Sequence, residues 1–413
     1  MNILVIGGGG REAALVYKIA QSKKVTKLFC APGNAGISAH ATCVPIAVHQ
    51  IELLLQFAKE NQIDLTVVGP EIPLSFGIVD LFQREGLQIF GPCQRGAALE
   101  SSKVFSKQFM QKYHIPTPEA EVGTLEEAVT KLEKIKMPIV LKVDGLAAGK
   151  GVVIAQNIQE ASAGLDYFKA IGKGSEKLLI EQYLIGVEAT FLVVIDSETV
   201  LPLASAKDHK RLLDHDLGPN TGGMGAVSPA PNITPELYAQ IMETIIQPTL
   251  KGLIAEGIAY QGVLYVGLML TKEGPYVLEF NARLGDPEAQ AILPRLKTDW
   301  VDLMEAVLAH RLGDIQLEWD NRVSVCVVLA SEGYPGDYKK GQEIFGLDSI
   351  KNTDITVFHA GTELACGASV TSGGRVLGVT ALGIDYETAR TKAYQAIDTI
   401  QFEGMIYRND IGG

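Results

Sequence analysis

Five cysteines in 413 residues, none of them spaced C-x-x-C, leave this chain without a zinc-ribbon pattern or a disulfide framework. Cys30, Cys43, Cys93, Cys326 and Cys366 are scattered, which fits a reduced, cytoplasmic setting. Histidine is equally thin: seven, dispersed, with no H-E-x-x-H, so no histidine-held metal is expected. There is no G-x-S-x-G nucleophile elbow. No apolar run approaches the ~18 residues a membrane span needs. The first residues, Met1–Ile6, lack a basic segment and read as a buried strand, not a signal peptide. Positive charge is short as well: Lys and Arg number 36 against 48 Asp and Glu, a net charge of −12 and a pI near 5.2. Sequence-independent nucleic-acid binding needs a basic surface, so no nucleic-acid partner is expected, and any anionic ligand must be met by local clusters of donors. There is no Gly-X-Y period, no internal repeat and no low-complexity tract.

What is present is apolar material and glycine. Apolar residues make up 47% and charged residues 20%, enough to bury sizeable cores. The length predicts two to four domains. Gly 43 and Pro 18 exceed the average share and must serve loops and turns. Up to about residue 100, strand and helix alternate. Apolar runs at Ile3–Ile6, Lys27–Ala31, Asp64–Val68 and Leu87–Phe90 each close in a Gly- or Pro-containing loop. Four strands with crossover helices imply a doubly wound parallel sheet, with its ligand crevice at the strands' carboxyl ends. After Ser101 the texture becomes α+β. Thr124 and Glu127 have capping-box spacing, Pro138–Val143 and Val152–Ala155 flank the glycine loop Gly145–Gly151, and Lys177–Glu181 and Ala189–Ile195 read as strands. Ser205–Ala230 reads as a long polar loop, of the kind that is functional or disordered. A helix is expected from Thr234–Pro235 to Glu256, interrupted at Pro248. An apolar hairpin follows at Gly262–Phe280, and from Val323 a strand-rich tail ends in a helix at Glu387–Ile400.

Several segments carry chemistry. In Gly7-Gly8-Gly9-Gly10-Arg11-Glu12 a strand, a glycine turn and a helix start put backbone N–H groups where an anion can sit. It fits a dinucleotide fingerprint poorly, because the second strand, Leu28–Pro32, ends without the acid that would hold a ribose. A smaller phosphate ligand fits better, and a turn that merely packs helix on sheet remains open. Gly145–Gly151 with Lys150 is one residue short of a Walker loop and has Gly151 where Ser or Thr should bind magnesium. It reads instead as a hairpin tip that can fold over a triphosphate, or as a solvated turn. Glu181-Gln182-Tyr183-Leu184, with Glu188 beyond, could offer a strand edge for adenine and a carboxylate for ribose, but taken alone the signal is weak and a solvated strand end is the better reading. The strongest constellation is Glu279-Phe280-Asn281-Ala282-Arg283-Leu284-Gly285-Asp286-Pro287-Glu288. Period-2 alternation predicts Glu279, Asn281 and Arg283 on one strand face, a set suited to magnesium with phosphate or carboxylate. Asp208-His209-Lys210-Arg211 and Gly222-Gly223-Met224-Gly225 add cationic donors and backbone that a ligand can approach closely.

Taken together with Pro32-Gly33-Asn34-Ala35-Gly36, Gly69-Pro70-Glu71, Lys142-x-Asp144-Gly145 and Gly218–Gly225, these motifs closely resemble the phosphoribosylamine–glycine ligase (glycinamide ribonucleotide synthetase) family of the ATP-grasp superfamily, over essentially the whole chain. The resemblance implies an N-terminal α/β domain at 1–101, an ATP-grasp domain at 102–322 with a mobile lid at 123–188, and a small α+β domain at 323–413. It implies ligation of glycine to 5-phosphoribosylamine with ATP as co-substrate and Mg²⁺ or Mn²⁺ as cofactor, by a monomer without nucleic-acid or membrane partners. Carried over residue by residue, Lys103, Lys142 and Lys150 touch ATP phosphates, Glu181 and Leu184 offer backbone to adenine, and Glu188 holds ribose. Glu279 and Asn281 bind the metal. Asp208, Lys210 and Arg283 are catalytic. Gly222, Gly223, Met224 and Gly225 bind substrate on the glycine side, and Gly10, Asn34 and Glu71 face phosphoribosylamine. The family usually has His where this chain has Ala13, and Phe where it has Leu284. Other readings are a different ATP-grasp carboxylate–amine ligase, a NAD-dependent dehydrogenase, or a non-catalytic nucleotide-binding module.

Overall fold

The structure is a computed structural model that describes residues 1–147, 151–174 and 176–413. The N-terminal sheet is parallel throughout, in the order β3-β2-β1-β4-β5. Its strands are β1 (Asn2–Gly7), β2 (Lys27–Pro32), β3 (Thr42–Cys43), β4 (Leu65–Val68) and β5 (Ile89–Phe90). Four were expected; the two residues of β3 are too few to register as an apolar run. Alternation along β1 explains the doubly wound form. Ile3 and Val5 enter a core with Ala14, Leu15 and Trp300, while Leu4 and Ile6 enter another with Leu54, Ile78 and Phe82. Helix Gly10–Ile19 begins directly at the end of β1.

A second, antiparallel sheet has the order β6-β9-β7-β8, from β6 (Ala120–Gly123), β7 (Ile139–Val143), β8 (Val152–Ala155) and β9 (Leu178–Gln182). Thr124 and Glu127 form the expected capping box at the start of helix Leu125–Lys131. With helix Ile158–Ala170 this unit encloses its own core around Leu141, Leu165, Phe168 and Leu178.

A third sheet, order β11-β10-β16-β17, contains β10 (Val187–Asp196), β11 (Val200–Pro202) and the long hairpin β16 (Gln261–Thr271) and β17 (Gly274–Asn281). The helix starting at Pro235 is not broken at Pro248. It passes through a π-turn, Met242–Ile246, and resumes as Gln247–Ala255. Widening the turn just before the proline accommodates its ring and missing N–H.

Ser205–Ala230 is not a loop. It holds β12 (Lys207–Asp208), β13 (Arg211–Leu213), β14 (Leu217–Asn220) and β15 (Gly225–Ser228). β15 pairs antiparallel with β18 (Val323–Ser331) in a sheet whose other strands include Ile355–His359 and Arg375–Gly383. The segment reads as polar because β14 is exposed and β13 partly so, whereas β15 is fully buried between β12 and β18. This sheet crosses the expected boundary at residue 322. Among the described residues no helix is long and apolar enough to cross a membrane.

Candidate active site

A cleft of about 880 Å³ is lined by strand residues of the sheets that carry β7, β17 and β12, with Arg11 and Glu71 reaching it from helices that follow β1 and β4 of the parallel sheet. Its floor depends on one irregularity in β17. Gly267 pairs with Glu279 but Leu268 pairs with Val277, so Leu278 is an extra, bulged residue. The bulge changes the phase of the strand. Val277 and Phe280 both face the apolar core, and Glu279 and Asn281 face the cleft. It also frees the Leu278 carbonyl, which accepts from Lys142 Nζ at 2.9 Å. Arg283, expected on the same strand face, lies two residues past the strand end. Its guanidinium folds back so that Nη2 donates to Asn281 Oδ1 at 3.2 Å and to Glu100 at 2.8 Å.

Four cations surround Glu279. Burial pushes its carboxyl up, but Lys210, Lys142, Lys103 and Arg283 together hold it below the usual carboxylate range. Lys103 opens the helix Lys103–Lys112 and donates to the Gly145 carbonyl at 2.8 Å. Burial lowers its pKa despite the nearby Glu279. Lys142, on β7, pairs with Glu181 at 2.7 Å, and the other oxygen of Glu181 pairs with buried Lys107 at 3.0 Å. This wall therefore concentrates positive charge that Glu279 and Glu181 only partly neutralise, which is the electrostatics of a polyphosphate seat.

The opposite corner is acidic. Asp208 on β12 has one carboxylate oxygen sealed from water without a hydrogen-bond partner. Burial, then neighbouring Glu288, drives its pKa well above the usual value. Burial works against the charge on Lys210, but Glu188 at 2.9 Å, together with Tyr265, Glu279 and Asp208, raises its pKa well above the usual value. Of the four residues Gly222–Gly225, only Gly222 lines the cleft. Its N–H donates to the Tyr334 hydroxyl at 2.8 Å, and its carbonyl accepts from Arg375 at 2.6 Å. Gly223 has φ +113°, and a Cβ there would overlap Pro287 and Asp208. Met224 is fully buried, with its backbone bonded to His209 and Val328, and Gly225 is locked into β15. Strand pairing turns both Met224 and Gly225, expected on the substrate side, inward.

The N-terminal loop is likewise held by the protein's own groups. The N–H of Gly9 is taken by Glu12 at 2.7 Å and that of Arg11 by Asp286 at 3.1 Å. The protein's own carboxylates thus fill the expected anion seat, and Gly10 is pressed against Gln290 with no room for a Cβ. Asn34 is committed to bonds with Gly8, His359 and Ile37, joining its loop to the C-terminal sheet. From the glycine-rich N-terminal loops, Arg11 and Glu71 reach the cleft. Leu184, Glu188, Gly10, Asn34, Gly223, Met224 and Gly225 are not part of its lining, and Lys150 lies outside the described residues. Glu71, Lys103, Lys142, Glu181, Asp208, Lys210, Gly222, Glu279, Asn281 and Arg283 are. Sequence reasoning missed Glu100, Lys107, Tyr334 and Arg375, which also line it. Gly373-Gly374-Arg375 repeats the Gly-Gly-Arg pattern of residues 9–11 and could have drawn attention; nothing local marks Glu100.

Comparison with known proteins agrees with this geometry. Residues 1–100, 101–289 and 324–413 match, in turn, the N domain, the ATP-grasp (A) domain and the C domain models of phosphoribosylglycinamide synthetase. The chain belongs to the phosphoribosylamine–glycine ligase family. A phosphoribosylamine–glycine ligase of Caldanaerobacter subterraneus subsp. tengcongensis is 51% identical over all of this chain and 99% of its own length. The enzyme of that name from Salmonella typhimurium is 50% identical over all of this chain and 98% of its own. The crystal structure of a phosphoribosylamine–glycine ligase from Thermotoga maritima superposes with a TM-score of 0.86 at 35% identity, covering 99% of this chain and all of that one. A biotin carboxylase domain from Hydrogenobacter thermophilus, at 18% identity and a TM-score of 0.74 over 98% of this chain and 91% of that one, shares the fold. Where this ligase chain departs from the expected family pattern, both positions are structural: Ala13 lies on the buried face of its helix and Leu284 in the core with Trp300.

Proposed function

We propose that the cleft performs ATP + glycine + 5-phosphoribosylamine → ADP + phosphate + glycinamide ribonucleotide, the purine-synthesis step of this ligase family. The observation that carries the reading is the face of β17, where Glu279 and Asn281 are ringed by Lys103, Lys142, Lys210 and Arg283. A carboxylate does not acylate an amine in neutral water. Moving the γ-phosphoryl group of ATP onto the glycine carboxylate makes a glycyl phosphate. The amine of phosphoribosylamine then attacks the carbonyl carbon, and phosphate leaves with the C–O bond electrons. Both steps spread negative charge over oxygens, so fixed cations at the reacting centre supply most of the catalysis.

ATP-grasp ligases use ATP with a divalent metal. Here the donor set fits Mg²⁺ or Mn²⁺: one ionised carboxylate, Glu279, beside one amide oxygen, Asn281. Among the described residues there is no group of three or more His, Cys, Asp or Glu poised for a metal. This suits a hard cation that takes most of its remaining ligands from phosphates and water. When bound, the metal neutralises phosphate charge and orients the transferred group. Lys103 and Lys142 would hold ATP phosphates, while Glu181 and Leu184 would offer backbone to the adenine and Glu188 a carboxylate to ribose. Asp208 and Lys210 would frame glycine beside Gly222, and Glu71 would meet phosphoribosylamine.

Residues 123–188 would act as the lid. The intermediate hydrolyses readily, so the cleft must exclude water once ATP is bound. The reading includes a monomer in the cytoplasm without nucleic-acid or membrane partners; the net charge of −12 speaks against a nucleic-acid partner. ADP release assayed with glycine and phosphoribosylamine, separately and together, tests the reaction. Net turnover is expected only with both; full release with glycine alone, unchanged by phosphoribosylamine, would sink it.

A further inference from the structure

We propose that Glu100 is a positioning residue that fixes the Asn281 amide in its metal-facing orientation, acting through Arg283. The inference rests on the reading of Glu279 and Asn281 as metal ligands.

Glu100 is the penultimate residue of helix Gln94–Ser101, and its side chain is only 7% exposed. The helix is a firm base: Leu99 lies in the apolar core with Phe280, and Gly96 packs against Tyr260 and Pro92. From there both carboxylate oxygens grip the residues that follow β17. Oε2 accepts from the Ala282 N–H at 2.8 Å, and Oε1 accepts from Arg283 Nη2 at 2.8 Å. Arg283 passes the constraint back along the chain by donating from the same nitrogen to Asn281 Oδ1 at 3.2 Å. Its Nη1 is engaged by the Leu284 carbonyl at 3.1 Å. A side-chain amide is nearly symmetrical in shape, with an acceptor at one end and two donors at the other. A guanidinium can bond only the oxygen end. Arg283 therefore fixes which way round the Asn281 amide sits, and one lone pair of its oxygen is left for a cation. If Arg283 drifts, the amide is free to turn its N–H₂ toward the metal, which repels it.

The carboxylate is needed in this role, not merely the shape. Glu100 receives one donor at each oxygen. Glutamine has a single acceptor, so its N–H₂ would confront either the Ala282 N–H or the guanidinium, both donors. Glu100→Gln keeps the volume and removes the grip. Glu100→Asp keeps the charge on a shorter stem and should restore part of it.

Binding of ADP to the full chain, by calorimetry with Mn²⁺ and with the metal removed, tests this without reliance on turnover. The Mn²⁺ spin-resonance spectrum in the presence of ADP gives an independent measure. We expect Glu100→Gln to weaken Mn²⁺–ADP binding about tenfold, as loss of a residue behind a metal ligand does, with metal-free ADP binding unchanged and Glu100→Asp intermediate. Wild-type affinity for Mn²⁺–ADP in Glu100→Gln would overturn the proposal. So would equal weakening with and without metal, which would mean that Glu100 only holds the cleft together; if Glu100→Gln does not fold, the same two outcomes are read on Glu100→Asp. If the wild-type chain itself binds ADP equally with and without Mn²⁺, the reading of Glu279 and Asn281 as ligands falls, and the proposal with it.

Discussion

Two antiparallel sheets border the cleft, and they are held in the molecule by different means. The sheet carrying β17 shares its apolar core with the helices around Leu99, Phe109, Met110 and Ile245. The sheet of β7 and β8 keeps its core to itself, within residues 125–180. It is fastened to the rest by polar contacts near the cleft. Asp144 accepts from Ser102 at 3.1 Å and from the Val104 N–H at 3.2 Å, Lys142 reaches the Leu278 carbonyl, and Glu181 pairs with Lys107. The difference bears on function. Buried apolar surface has no substitute among ligands, so the β17 sheet is a fixed floor. A polar fastening can be exchanged for a phosphate oxygen at little net cost, which is what the proposed lid role of the other sheet requires. Lys103 and Lys142 have both parts: they tie the proposed lid to the rest through Gly145 and Leu278 and are the proposed phosphate contacts.

The largest effect should come from the floor. Glu279→Gln is expected to lower kcat by roughly a thousandfold, about 4 kcal/mol of transition-state stabilisation, while leaving the lid's hydrogen exchange as in wild type. Near-normal kcat at ordinary Mg²⁺ would remove Glu279 from the metal site. Core truncations separate the two sheets directly. Phe191→Ala, in the core behind β17, should destabilise the main unfolding transition by about 3–5 kcal/mol. Phe168→Ala removes a ring of the same size from the lid core. It should produce a separate, earlier transition seen in the exchange of Ile139–Val143 amides, with the main midpoint little moved. A single transition shifted equally by both variants would erase the contrast.

Acid sharpens it further. His209 and His359 are held by burial at a pKa of about 4, and both lie outside the two sheets. Their folded values are below the unfolded value near 6.5, so the unfolded chain binds more protons between these limits. The stability they contribute is complete above pH 6.5 and is lost as pH falls toward 4, on the order of a few kcal/mol in total. Urea midpoints from pH 7 to 4 should fall for the main transition and stay flat for the lid. The smallest effect is Asp144→Asn. Losing a charge-assisted fastening worth about 1–2 kcal/mol should speed exchange at Val152–Ala155 around tenfold without nucleotide, and Mg·ATP should abolish the difference. An identical rate in mutant and wild type without nucleotide would show that Asp144 does not hold the lid.

The contiguous chemistry was legible from residues alone. The βα alternation of the first hundred residues, the capping box at Thr124 and Glu127, and the grouping of Glu279 with Asn281 all survive in the fold, because each is a short-period pattern whose cause lies within a few residues. Other features were settled by packing between segments far apart in the chain. The phase of β17 follows from the bulge at Leu278, so Val277 and Phe280 share a face that strict alternation would have split. The glycine loop at residues 7–10 looks open to an anion in sequence and is filled by Glu12 and Asp286 in space. β15 reads as loop because its hydrogen-bonding partner, β18, begins almost a hundred residues later. Glu100 stands 182 residues from the N–H it grips. A buried carboxylate is stable only where donors converge on it, and that convergence exists only after the chain has folded.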